Sequence, residues 1–229
     1  MIVAPHPDFA VQRLTIGREQ APLLVIDNLI ANPDELVELA AAKVYGDAVS
    51  YYPGIRAKAP LSYQQFVLNH LRDLFRETFG LPGRTLRFTG CHFSLVTTPP
   101  QKLEYPQRIP HVDSVNGAEL AFIHYLFKRQ HGGTAFYRHR HTGFEVITKE
   151  RQAEYYGRLD TEMSGPNKPA TGYINGNTAL YEQVRDEQGI FNRMLVYRRN
   201  SLHSGSIAGP SAIDPNPRTG RLSINGFVA

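Results

Sequence analysis

The segment RIPHVDSVNG (108–117) sets His111 and Asp113 two positions apart. In an extended strand, residues i and i+2 face the same side, so an imidazole and a carboxylate here aim at one point. Two donors do not hold a metal, and a third has to come from another segment. Of the nine histidines, several have plainer readings. His6 lies in the N-terminal tail, His70 on a helix, and His131 against a Gly-Gly turn. His139 and His141 flank Arg140 in a polar stretch expected to be exposed. His203 differs, because it follows the strand-like RMLVYRR, precedes a turn and has small neighbours in NSLHSG. A ring there has room to point into a cavity. Two histidines and one carboxylate leave about three positions open on a divalent iron. A closed structural zinc site would draw on cysteine, and the chain has one, Cys91.

An open iron site calls for a co-substrate that supplies electrons. 2-Oxoglutarate is the common one; its keto-acid end chelates iron and its far carboxylate needs a cation. Arg221 in RLSINGFVA (221–229) is placed to be that cation, and Ser223 shares its strand face. A bidentate guanidinium beside a hydroxyl is a sound carboxylate clamp. Nineteen of the 25 basic residues are arginine, which favours an anionic small molecule. For a substrate, Arg56 in YYPGIRAKAP (51–60) and Arg138 and Arg140 in RHRH (138–141) are candidates to hold an acidic or amino-acid-like group. Solvated loop charge is an equal reading for each of the three.

These residues need a frame. PLLVIDNLI (22–30) reads as a strand and NPDELVELAAAKV (32–44) as a helix, with Asn32 as cap and Pro33, Asp34 and Glu35 in its first turn. YYPGIRAKAP reads as a loop. LSYQQFVLNHLRDLFRETFG (61–80) has the spacing of an amphipathic helix ended by Gly80. Strand-like segments then follow at 84–96, 119–127, 133–139, 144–149, 193–198 and 221–229, parted by Gly, Pro, Asn and Asp. Residues 150–190 carry weak alternation and read as a long excursion. The plan is helices first, then a β body.

HVDS, then ELAFIHYLF, HGGTAFYRHRHTG, LVYRRNSLHSG and RLSINGF, in that order, resemble the Fe(II)/2-oxoglutarate-dependent oxygenases. The likeness is greatest to their prolyl-4-hydroxylase-like branch, and within it to a bacterial subfamily; it spans residues 84–229. The resemblance implies a mainly β (α+β) fold, a double-stranded β-helix of jelly-roll, cupin-like type, with the N-terminal helices packed on its larger sheet. It implies one oxygenase domain over 1–229, with 1–83 as helical support, 84–229 as core and 150–190 placed to form a lid. His111, Asp113 and His203 become the catalytic iron ligands, and Arg221 with Ser223 the co-substrate clamp. Tyr125 holds the place of a tyrosine that hydrogen-bonds the co-substrate, and Thr134 lines the same pocket. The tyrosine that the family often carries on the strand before the HxD motif is absent; GCHFSLV offers His92 or Ser94 instead. The implied cofactors are Fe(II), 2-oxoglutarate and O2, with hydroxylation of a small molecule, amino acid or peptide through an Fe(IV)-oxo species. Halogenating members carry a small residue where Asp113 stands. A non-catalytic β-helix that binds a ligand is the alternative reading.

Composition narrows the setting. A chain of 229 residues, 41 % apolar, suits one large domain or two small ones. No run approaches the ~18 apolar residues of a membrane span. The N-terminus lacks the apolar stretch of a signal peptide. A single cysteine excludes an internal disulfide and points to a reducing, cytoplasmic setting. The net charge of +4 invites a nucleic-acid-directed oxygenase as a third reading, but no basic patch interleaved with aromatics supports it.

Overall fold

The computed structural model describes residues 3–48 and 51–229. It is mainly β, with three α-helices and two antiparallel sheets. The strands are β1 (Ala10–Ile16), β2 (Ala21–Asp27), β3 (Gly46–Asp47), β4 (Gly54–Lys58), β5 (Phe88–Val96), β6 (Leu120–Tyr125), β7 (Gly132–His139), β8 (Tyr181–Glu187), β9 (Met194–Arg198), β10 (His203–Ile207) and β11 (Leu222–Val228). The helices are α1 (Pro33–Ala41), α2 (Leu61–Phe79) and α3 (Gln152–Met163). Eight strands form one sheet in the order β1-β2-β9-β6-β11-β5-β4-β3, and three form another in the order β10-β7-β8.

Alternation along the strands sorts the side chains into layers. On the outer face of the large sheet, Leu24, Ile26, Phe93, Phe122, Val196 and Ile224 share one core with Leu36 of α1 and Phe66, Leu71, Phe75 and Phe79 of α2. Each such fully buried side chain contributes about 1.5–3 kcal/mol, so α2 is held by its apolar stripe. Its end is set by Gly80, which takes φ 60° while Leu81 N–H donates to Arg76 O. The inner face presents Leu23, Val25, Ala121, Ile123, Leu195 and Tyr197, and Phe136 of β7 packs on it. The outer face of the small sheet, through Ala135 and Tyr137, takes Tyr155 and Leu159 of α3.

Several expectations change. Asn32 makes no side-chain capping bond to α1; the helix start rests on Pro33 and on Asp34 and Glu35 in the first turn. The segment read as a loop at 51–60 contains β4, an edge-proximal strand paired with β5. Residues 144–149 form no strand but keep one isolated bridge, Val146 to Ser201, while the Glu145 carboxylate accepts from Arg18 N and Glu19 N in the β1–β2 turn. The excursion at 150–190 contains α3 and β8. Arg138 is buried, held by Glu145 and Glu182, and His139 is fully buried, with Nε2 2.8 Å from Glu162 of α3. Arg140 and His141 are exposed, as the polarity of the stretch suggests, so the burial is confined to Arg138 and His139.

Candidate metal centre

His111 and His203 lie far apart in the chain and are joined by a reciprocal backbone bridge. His111 N–H donates to His203 O at 2.9 Å, and His203 N–H donates to His111 O at 3.0 Å. A directly opposed pair of this kind sets both side chains on one face of the ladder. The two rings lie with centroids 4.5 Å apart. Asp113 is fixed two residues on, where its N–H donates to Arg199 O at 2.8 Å and the Arg199 guanidinium donates to Asp113 O at 3.0 Å. The Asp113 carboxylate then lies 3.8 Å from His111 Nε2 and 3.6 Å from His203 Nε2.

Donors from these three residues all fall within 4.8 Å of one another, the group of this kind found among the described residues. Ligands about 2.1 Å from one ion and at right angles to each other are roughly 3 Å apart. The side chains need to close by less than an ångström or two. The donor chemistry fits a divalent ion. His203 Nδ1 is 2.9 Å from Ser201 O; a carbonyl only accepts, so Nδ1 carries the proton and Nε2 offers its lone pair. His111 is open to the cavity, 52 % of its side chain being accessible, yet protein walls surround it at slightly longer range. Its pKa is pulled down to about 4, first by that desolvation and then by His203, with Asp113 opposing and Arg56 adding to the effect. The imidazole is therefore neutral near pH 7 and free to donate.

The three donors face a chamber of about 400 Å3. Arg221 and Thr134 line it as well. Arg221 is 2 % exposed. Its Nε donates to His131 O at 3.2 Å and its Nη2 to Gly133 O at 2.6 Å, so two backbone carbonyls aim the guanidinium. The turn carrying them requires glycine: Gly132 has φ 78°, and a Cβ there would lie 1.6 Å from Ser206 O. Tyr125 OH and Thr134 Oγ1 are 2.7 Å apart, beneath the Arg221 guanidinium, which stands 5.7 Å from the Tyr125 ring. Burial pushes the Tyr125 phenol up to about 12, against the pull of Arg221, so it stays a proton donor. Ser223 is fully buried on β11, opposite Ser94 on β5 and Tyr125 on β6.

The structure thus brings His111, Asp113, His203, Arg221, Thr134 and Arg56 to one chamber. Tyr125 and Ser223 stand on the strands behind it. Arg138 and Arg140 are not among its lining residues: Arg138 is occupied by its two carboxylates, and Arg140 donates to Thr178 O on the exposed side. His92 is half-buried on β5 and also does not line the chamber. Sequence reasoning missed Tyr52 and Arg199. Tyr52 lines the chamber, carries the Arg56 guanidinium over its ring at 4.3 Å, and lies in the field of Arg221 as well. It brings from a loop the tyrosine that β5 lacks. The signal for it was the aromatic pair YYPG just ahead of Arg56. Arg199 pairs with Glu119 at 2.7 Å and lies over Phe227 at 4.3 Å.

This fold is shared with proteins crystallised as non-haem iron and 2-oxoglutarate systems. The chain is similar to the non-heme alpha ketoglutarate dependent epimerase SnoN from nogalamycin biosynthesis, at 13 % identity over 92 % of this chain and 78 % of that one, with a TM-score of 0.52. It is similar to HygX from Streptomyces hygroscopicus, solved with nickel, 2-oxoglutarate and hygromycin B bound, at 13 % identity over 93 % and 87 % of the two chains, also with a TM-score of 0.52. At such identities the likeness is one of fold. The chain belongs to the family described as "Family of unknown function (DUF6445)", whose model matches residues 7–228. No curated protein matches it. No helix among the described residues is long and apolar enough to cross a membrane.

Proposed function

We propose that the chain is an Fe(II)- and 2-oxoglutarate-dependent dioxygenase that hydroxylates a small-molecule, amino-acid or peptide substrate. The observation that carries this reading is the meeting of His111, Asp113 and His203 at one side of a chamber whose wall also holds the buried, carbonyl-anchored Arg221. Two sheets in contact through Phe136 and Tyr197, at 5.1 Å, support the double-stranded β-helix as the architecture. The motif order supports the prolyl-4-hydroxylase-like branch.

Bound Fe(II) and 2-oxoglutarate supply the activation of dioxygen and the oxidation of a substrate C–H bond. The chain's residues do the rest. His111 and His203 present their Nε2 atoms toward the chamber. Asp113 contributes a negative charge toward a divalent ion and fills the position that halide takes in halogenating relatives, which favours hydroxylation. Arg221 holds the far carboxylate of the co-substrate, in a site dry enough for the charge pair to be strong. Thr134, Tyr125 and Ser223 supply hydroxyls around it, and Tyr52 closes it from the loop. The apolar inner wall, with Ile123, Tyr197 and Phe227, excludes water from the reacting region.

Anaerobic titration of the Fe(II)-loaded protein with 2-oxoglutarate tests the proposal. A visible metal-to-ligand charge-transfer band that saturates with one co-substrate per chain is expected. Metal binding without that band would leave the chain a ligand-binding β-helix.

A further inference from the structure

Three arginines line the chamber, Arg56, Arg199 and Arg221, against one carboxylate, Asp113. Arg199 is committed to Glu119 and to the backbone of Asp113. Arg221 is the co-substrate's under the reading above. Arg56 is the third, and its position is different. It sits on β4 opposite Ser94, which lies opposite Ser223, which lies opposite Tyr125. These four polar residues form one transverse row across four neighbouring strands, on the face that looks into the chamber. Arg56 begins the row at the mouth side and Tyr125 ends it at the Arg221 side.

Tyr52 stands along this row. The Arg56 guanidinium lies over its ring, 4.3 Å from the centroid. Its phenol feels the charge of both Arg221 and Arg56. A guanidinium on an aromatic platform keeps its planar fork oriented at a small entropic cost. Arg56 is also near enough to Asp113 and His111 for its charge to act on both. One fixed cation therefore faces the co-substrate end and a second faces the open side of the metal donors. Tyr51, Pro53, Pro106 and Tyr173 line the same chamber.

We infer that the chamber admits a substrate bearing a carboxylate on an aromatic-sized apolar body, with Arg56 gripping the carboxylate and Tyr52 fixing the direction of that grip. The inference rests on the Fe(II)/2-oxoglutarate reading of the same site. With Arg199 balanced by Glu119, Arg56 and Arg221 stand against Asp113 alone, which favours a negative guest, and the rings and prolines of the lining give an apolar body a surface to pack on.

Calorimetry on the Ni(II)-loaded protein, saturated with 2-oxoglutarate so that no turnover occurs, provides the test. The probes are ω-phenylalkanoates of increasing chain length, each paired with its primary amide. At least one acid should bind wild type roughly ten- to a hundredfold more tightly than its amide, the range of a charge-assisted pair. Arg56→Met should erase that preference while leaving 2-oxoglutarate affinity unchanged, and Arg56→Lys should keep part of it. Equal binding of every acid and its amide, or absence of binding by all of them, overturns the inference. So does a large loss of 2-oxoglutarate affinity in a folded Arg56→Met protein, which would move Arg56 into the co-substrate site. Failure of wild type to bind 2-oxoglutarate at all would strike the underlying reading, and is read in a separate titration before any probe is added.

Discussion

Arg221→Met removes the guanidinium and keeps an apolar side chain of similar reach. Under the proposed reading it deletes the charge-assisted bonds that hold the far carboxylate of 2-oxoglutarate. One hydrogen bond to a charged group is worth ~1.5–3 kcal/mol, and Arg221 is too buried, at 2 % exposure, for solvent to replace it. Two such bonds give a loss of about 3 kcal/mol or more, roughly a hundredfold or greater in Kd. The variant also strips a donor from His131 O and from Gly133 O; His131 O keeps the Ala208 N–H at 3.3 Å, and a buried carbonyl left without a partner costs about 1–3 kcal/mol. A drop in Tm is therefore expected and has to be measured alongside. The metal donors are not touched. Isothermal titration of the folded variant should show Ni(II) binding close to wild type and 2-oxoglutarate binding weakened a hundredfold. Arg221→Lys, with the charge but not the fork, should fall between. Wild-type co-substrate affinity in folded Arg221→Met would refute the assignment of the clamp.

Replacing His203 with Ala should lower Fe(II) or Ni(II) affinity on the order of a hundredfold or more while circular dichroism stays native; tight metal retention would remove His203 from the ligand set. Gly132→Ala should destabilise by ~2 kcal/mol or more, because a Cβ would meet Ser206 O at a φ of 78°, and it should weaken 2-oxoglutarate binding through Arg221. Gly143→Ala, at a φ of 74° with open space around it, is the mild control in the same denaturation series. His124 is buried with Nδ1 near Tyr63 OH and Nε2 near Asn192 Oδ1, and burial lowers its pKa from 6.5 to about 4. The unfolded chain takes up this proton below about pH 6.5 and the folded chain refuses it until about pH 4. Stability from this group is complete above pH 6.5 and lost as pH falls toward 4, by up to about 3 kcal/mol. His124→Gln should flatten that part of the pH–Tm profile; an unchanged slope would place the proton elsewhere.

An i, i+2 strand argument singles out the candidate donors His111 and Asp113, but the structure brings them together through an isolated bridge from His111 to His203 and the Asp113–Arg199 backbone bond; small residues around His203 leave room for its ring. A two-residue period points to Arg221 and Ser223; Ser223 lies on β11 and Arg221 just ahead of it. The helices 33–41 and 61–79 announced themselves by their apolar spacing and by Gly80. What escaped was decided by distant partners. β8, YEQVRDE, is polar because it is an edge strand, and charge there prevents pairing with other chains. α3 buries Tyr155 and Leu159 out of twelve residues, too few to mark a face. The burial of Arg138 and His139 depends on Glu145, Glu182 and Glu162, which no local pattern reveals. Tyr52 sits in a Pro-Gly loop, and its place at the chamber follows from the pairing of β4 with β5.

The paired backbone bonds between His111 and His203 have a topological consequence. They tie residues 112–202 into a closed loop whose two ends meet at the metal donors. The length of chain inside that loop does not enter the geometry of its closure. Segments could be added between β7 and β8, where α3 now sits, and the imidazoles would still arrive side by side. The insert is thus free to vary while the candidate donors keep their places, which separates the part of the molecule that can be remodelled from the part that closes the ladder.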